Sequence, residues 1–407
     1  MNTRGYVIVT ASYWALTLTD GALRMLVTLY FHQLGYTSLD LALLFLLYEF
    51  CGILTNLLGG WLAARLGLRV TLLAGLWLQV VALLMLSFVQ PTWTLVLSVG
   101  YVMAAQALSG IAKDLMKLSS KSAVKSFVSG QDASTLFRWV GWLTGSKNAL
   151  KGLGFFMGGV MLDTIGFSFS LWVMAGGLLA VLVLATGQLT RDLGRSKRQV
   201  TFSQIFSRRP AINILSLGRL CLFGSRDVWF VVALPLFLID VMGWSFAWVG
   251  ACLASWIIGY GLVQAVAPKA LSIAGESVIT ARTAQICGSV LIVVSGGLAM
   301  GASNVMPSIG VVLTGLAAFG IVFALNSSVH SYLVLAYAEF DTVAMDVGFY
   351  YMANAAGRLL GTLMSGWLYL ETGLAGCLWM SMGLVVTATG LMFALPPIKY
   401  ASAPTSK

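Results

Sequence analysis

Apolar runs of about 20 residues, each bounded by a few polar or glycine positions, follow one another along this chain, and that spacing predicts helices that cross a bilayer. Such spans are expected at 6–31, 40–63, 70–89, 93–112, 137–161, 167–188, 211–238, 246–267, 277–299, 306–326, 343–368 and 374–395. The first run has no small-residue cleavage site behind a short apolar core, so it is expected to remain as a helix. Within the bilayer only helices or closed barrels satisfy every backbone group, and unbroken apolar runs of this length select helices. The fold class expected is an all-α membrane protein of 12 helices in two pseudo-symmetric bundles of six.

Composition agrees with that pattern. Of 407 residues, 59% are hydrophobic and 9% charged, and the mean hydropathy is +0.90. Charge then assigns the sides. Arg65 and Arg69 follow the second span, Lys117, Lys121 and Lys125 the fourth, and Arg191, Arg195, Lys197, Arg198, Arg208 and Arg209 the sixth. Alternate loops hold only Asp40, Asp163, Asp240 and Glu371. By the positive-inside rule both termini are expected in the cytoplasm, with the chain spanning the membrane many times. The net charge of +10 is therefore largely topological and does not point to nucleic acid. Cys51, Cys221, Cys252, Cys287 and Cys377 stand singly within spans, without metal-ligand spacing. No phosphate-binding loop or catalytic grouping is present, and neither enzyme activity, cofactor nor metal is expected.

The polar stretch 191–210 divides the chain into a bundle at 1–190 and a second at 211–407. Equivalent positions recur at an offset of 207: Asp20 with Asp227, Gly52 with Gly259, Lys151 with Arg358. Lys151-Gly-Leu-Gly154 faces Arg358-Leu-Leu-Gly361 in the same register. Together with Gly60-Trp-Leu-Ala-Ala64-Arg65-Leu-Gly67-Leu-Arg69 between spans two and three, this organisation resembles the major facilitator superfamily, whose halves rock about a central site. The resemblance implies a gating loop at Gly60, Arg65, Gly67 and Arg69. Ala64 stands where the superfamily usually has Asp, which removes one partner of its usual latch.

Charged side chains at mid-membrane are costly and mark sites. Near span centres lie Asp20, Arg24, Glu49, Lys147, Lys151, Arg226, Asp227 and Arg358, five cations against three acids. The surplus predicts an anionic ligand held by Arg24, Lys147, Lys151, Arg226 and Arg358. Asp20 and Arg24, like Lys147 and Lys151, are four apart and share a helix face. Asp20, Glu49 and Asp227 are either proton carriers or partners of those cations. Lys113, Asp114 and Lys117 read as an amphipathic helix end. His32 and His330 read as interfacial, and Glu339, Asp341 and Asp346 as solvated. Trp14, Tyr48, Trp142 and Trp229 are candidate cavity aromatics, and Asn148 and Asn354 could bond across helices or touch substrate.

Four charge strings narrow the resemblance: Leu18-Thr-Asp20-Gly-Ala-Leu-Arg24-Met-Leu-Val, Ala104-Ala-Gln-Ala-Leu-Ser-Gly-Ile-Ala-Lys113-Asp114-Leu, Leu143-Thr-Gly-Ser-Lys147-Asn148-Ala-Leu-Lys151-Gly and Leu222-Phe-Gly-Ser-Arg226-Asp227-Val-Trp-Phe. They are similar to the ArsJ family of bacterial organoarsenical efflux permeases. That resemblance implies export of 1-arseno-3-phosphoglycerate, which glyceraldehyde-3-phosphate dehydrogenase forms when it uses arsenate, and hence arsenate resistance. It carries Arg24, Lys147, Lys151 and Arg226 as motif positions, whereas Arg358 rests on the repeat. Beyond that enzyme as substrate producer, the expected partners are the small anion and the bilayer, with the protein a monomer. A general organophosphate or organic-anion exporter or exchanger, and a non-transporting membrane sensor or scaffold, are the alternatives.

Overall fold

The computed structural model describes residues 3–127, 133–189, 209–273, 280–303, 308–337 and 343–396. All but the last two residues of the expected linker, 191–210, lie outside them. The first half contains α1 (Thr3–Gln33), α2 (Ser38–Leu44), α3 (Leu46–Leu66), α4 (Leu68–Ser87), α5 (Leu95–Phe127), α6 (Ala133–Ile165) and α7 (Phe167–Gln188). The second contains α8 (Pro210–Phe230), α9 (Ala233–Asp240), α10 (Phe246–Ile273), α11 (Ala281–Ala302), α12 (Ile309–Tyr337) and α13 (Val343–Phe393). Among the described residues, nine helical stretches are long and apolar enough to cross a membrane. To these the 31-residue α1 and the 33-residue α6 add spans that carry internal charge. α13 supplies two spans, because Gly373 at φ 66° and ψ −162° breaks it. Only glycine adopts that backbone without strain. The 12 spans therefore stand where the apolar runs predicted them.

The span holding α8 and α9 is interrupted for an identifiable reason. Pro235 lacks an N–H and its ring excludes the carbonyl four residues back, at Val231, where the helix opens. Ser365 Oγ accepts the Ala233 N–H at 3.1 Å, which satisfies a donor the break has freed. Ladder gaps of this kind survive in a membrane only where a neighbouring helix supplies the partner.

The repeat is visible as one contact made twice. Gly154 of α6 leaves room for the Leu18 carbonyl and the Gly21 backbone of α1, and Gly361 of α13 does the same for the Gly224 carbonyl and Val228 backbone of α8. A side chain at either glycine would enter the facing helix, so both halves need a small residue at this crossing.

The loops at 34–37, 166 and 241–245 lie at the far end, opposite residue 3. There the halves meet: His32 Nε2 lies 2.7 Å from Asp240 Oδ1, Ser38 donates to the Gly366 carbonyl at 2.8 Å, and Asp163 accepts the Ala247 N–H at 2.9 Å. The last contact caps the start of α10 from the opposite half. Along α6 and α10 the seam continues through Gly159 against Phe246 and Gly152 against Ala254. It reaches Asn148, which donates to Gln264 at 3.3 Å.

Candidate functional site

Beneath that seam lies a polar cavity of about 250 Å³ between the halves. Its lining runs from Phe155, Phe230 and Trp256, at the level of the closure, to Lys117, Ser331 and Tyr351, several helical turns nearer the terminal end. Arg24, Lys147, Lys151, Arg226 and Arg358, the five cations singled out above, all line it. So do Asp20 and Asp227, whereas Glu49 stands behind the wall, fully buried.

Three arginines and two acids form one ladder across the halves. Arg24 of α1 and Arg358 of α13 both donate to Glu49 Oε1 of α3, each at 2.6 Å. Arg358 Nε also donates to Asp227 Oδ2 of α8 at 3.2 Å. Asp227 Oδ1 in turn accepts from Arg226 Nε at 2.6 Å. Such charge-assisted bonds hold side chains firmly in a medium of low dielectric. Two open alternatives resolve here. Asp20 and Arg24 do not pair along their helix: Asp20 accepts from the Tyr48 hydroxyl at 2.5 Å, and Arg24 turns to Glu49. Arg226 and Asp227, although adjacent in the chain, do pair, because a guanidinium can fold back over one peptide unit.

Equivalent positions thus differ. Arg358 is gripped by two carboxylates from other helices. Lys151 makes no ion pair or hydrogen bond among the described residues, and its ammonium lies 5.7 Å from the Phe155 ring centroid.

Two groups in the wall were missed or misjudged. α5 continues to Phe127, so Lys113, Asp114 and Lys117 sit within a helix and line the cavity rather than ending at the interface. Asp114, 2% exposed, lies 3.7 Å from Lys113 and 3.4 Å from Lys117. Lys117 also donates to Asn56 at 2.8 Å. Arg219 of α8, which the span-centre inspection passed over, lines the cavity too. Its signal was present: a cation nine residues into an apolar run. Among the described residues eight basic side chains and three acids line the cavity. With Glu49 the acids number four, so the site is strongly positive.

Other expectations resolve individually. His330 is 1% exposed and Asp346 2%, so neither is interfacial or solvated. His32 lies near the end of its span, in the seam described above. Trp229 is fully buried among Phe230, Trp256 and Phe319 and does not line the cavity. Trp14 donates to Ser146 at 2.8 Å, outside the lining. Asn148 bonds across the halves and lines the cavity, as does Asn354. In the gating loop, Gly67 has φ 92°, which only glycine adopts freely. Arg69 donates to the Thr186 carbonyl at 2.8 Å, tying the loop to α7 within its own half. The side chains of Gly60, Arg65, Lys121, Lys125 and Trp142, and all of Glu339 and Asp341, lie outside the described residues.

A larger cavity of about 670 Å³ lies between α10 and α12, lined by Trp248, Leu262, Leu316 and Ile321 among others. Trp256 and Tyr260, stacked with centroids 5.7 Å apart, border both spaces. Its walls are almost wholly apolar, so charge directs a polar ligand to the smaller cavity.

The sequence profile described as Major Facilitator Superfamily matches residues 9–338. No curated protein matches the chain.

Proposed function

The chain belongs to the major facilitator superfamily, and from that premise we propose that this secondary transporter carries a small organic anion through the polar cavity between its halves. The observation that carries the reading is the excess of eight basic over three acidic lining residues in low-dielectric surroundings. A lone cation there costs several kcal/mol unless an anion or water meets it, so an anionic substrate completes the site. Lys151, with no carboxylate of its own among the described residues, is the principal ligand. Lys147, Arg24, Arg226 and Arg358 add positive potential around it.

Alternating access follows from the seam. With the far end closed and the lining extending toward the terminal end, an anion enters from the side that the loop charges assign to the cytoplasm. This is the state in which an exporter loads. Arg358 belongs to the second half and Glu49 to the first, so their bond must yield when the far end opens. An anion competing for Arg358 weakens that bond and thereby couples binding to opening. Of Asp20, Glu49 and Asp227, the last two are held by arginines, whereas Asp20 accepts from a tyrosine hydroxyl and is bridged by no arginine among the described residues. Asp20 is accordingly the candidate for proton coupling, while Glu49 holds Arg358 across the halves and Asp227 braces the same arginine from within its own half.

Within the organic anions we favour 1-arseno-3-phosphoglycerate, exported from the cytoplasm, on the resemblance of the four charge strings to the ArsJ family. Everted vesicles supplied with radiolabelled arsenate, glyceraldehyde-3-phosphate dehydrogenase and its triose substrate should accumulate label only when all three are present. Uptake that persists without the enzyme or the triose removes that substrate and leaves the general organic-anion carrier.

A further inference from the structure

Arg219 has no part in the arginine and carboxylate ladder, yet it is more deeply placed than any of the ladder's arginines, with 5% of its surface exposed against 7% for Arg24. Its Nη1 donates to the Ser327 carbonyl at 3.0 Å and to Ser327 Oγ at 3.2 Å. Nε is sealed from solvent with no acceptor, and no carboxylate bridges to Arg219 among the described residues. A guanidinium offers five N–H donors in a planar fork, and among the described residues only Nη1 of its three nitrogens is engaged. A purely structural arginine in such surroundings would be expected to have its charge met by an acid, because an uncompensated buried cation is costly.

Its surroundings are arranged for orientation rather than for neutralisation. The guanidinium lies 4.0 Å from the Phe223 ring centroid and 5.0 Å from that of Tyr350. Ser327 Oγ is also approached by Gln264 Nε2 at 3.3 Å and lies 3.4 Å from the Tyr260 hydroxyl. Gln264 and Tyr260 line the cavity with Arg219. On the other side of Phe223 stands Arg226, at 5.0 Å from the same centroid. Arg219, Phe223 and Arg226 are spaced four and three apart, so they share one face of α8; seven residues of helix set the backbones of the two arginines about 10 Å apart along the axis, and both guanidinium groups lean toward the one ring between them. One aromatic ring therefore divides a cationic cluster around Arg226 and Arg358 from a second cationic point nearer the terminal end.

We propose that Arg219 forms a second oxyanion subsite, which takes a phosphate- or carboxylate-type group at the far end of the same substrate whose first anionic group lies among Lys151, Arg226 and Arg358. The transported molecule is thus an anion at both ends, with a short spacer lying over Phe223. This inference deepens the anion-carrier reading and rests on it.

The test uses the full-length protein purified in detergent, with alkane-α,ω-bisphosphonates of one to six methylenes and the matching alkylmonophosphonates as competing ligands in a binding assay. Wild-type protein should prefer a bisphosphonate over its monophosphonate, with a maximum at one intermediate length. Arg219→Gln should lower that preference about tenfold or more, the usual worth of a hydrogen bond to a charged group. The ratio is the readout because general loss of positive potential weakens both ligands together. If Arg219→Gln does not insert, Arg219→Lys replaces it: an ammonium lacks the fork and should still cut the preference severalfold. A preference left intact in the variant, or equal at every chain length, overturns the subsite while leaving the anion carrier standing. Failure of wild-type protein to bind either class overturns both.

Discussion

Lys151 and Arg358 occupy the same position in the two halves, on helices that cross their partners at the same glycine, and yet they do opposite things. Arg358 bonds two carboxylates, Glu49 of one half and Asp227 of the other, while Lys151 has neither an ion pair nor a hydrogen bond among the described residues. Asp20 and Asp227 repeat the lesson one turn away. Asp227 lies between two arginines, whereas Asp20 accepts from a single tyrosine hydroxyl. The charges stand at equivalent positions in the two halves, and their neighbours set them apart. On our reading, Arg358 became the latch between the halves, braced by Asp227 from its own half, while Lys151 and Asp20 were left available for an anion and a proton.

Four experiments probe that division. The largest effect is expected at Lys151. Lys151→Ala removes the ligand cation and should cost roughly 2–5 kcal/mol of substrate binding, a loss of about 30-fold or more in uptake by proteoliposomes. Its melting temperature should not fall, because no carboxylate among the described residues is ion-paired to it. Near-normal uptake would dismiss Lys151 from the site. Arg358→Ala should instead register as instability, since Glu49 and Asp227 lose a shared partner; breaking a buried pair costs about 3–5 kcal/mol. Thermal unfolding in detergent reads this, and a melting temperature equal to that of wild type would show that the latch assignment is mistaken.

The glycine crossing, where the halves agree, supplies the control. Gly154→Val and Gly361→Val should each destabilise by about 1–3 kcal/mol through overpacking, and by similar amounts. A large inequality between them would mean that the repeat is not structurally equivalent even there. The smallest change in stability is expected for Asp20→Asn, within about 1 kcal/mol, because the amide oxygen still accepts from Tyr48. Its transport should no longer follow a proton gradient, while exchange of labelled for unlabelled substrate continues. Retention of gradient-driven uptake would take the proton role away from Asp20.

The spans were legible in the chain because the bilayer imposes their length and because a charge inside a span is too costly to be accidental. Apolar run length located the helices to within a few residues at most ends. It failed where a helix continues past the apolar run, as α5 does to Phe127, and so Lys113, Asp114 and Lys117 were assigned to an interface instead of the cavity. The offset of 207 was readable too, since Gly154 and Gly361 must both be small for the same crossing.

Pairing was not readable. A rule of four residues joins neighbours on one helix, but Arg24 reaches Glu49 and Arg358 reaches both Glu49 and Asp227 from other helices. Long, flexible cationic side chains choose among several acids within reach, and that choice depends on how helices far apart in the chain lie against one another. The sequence by itself therefore determined that this is a two-bundle membrane protein with surplus positive charge at mid-depth. Only the tertiary structure decided which of those charges neutralise one another and which, like Lys151 and Arg219, face the cavity without a carboxylate among the described residues.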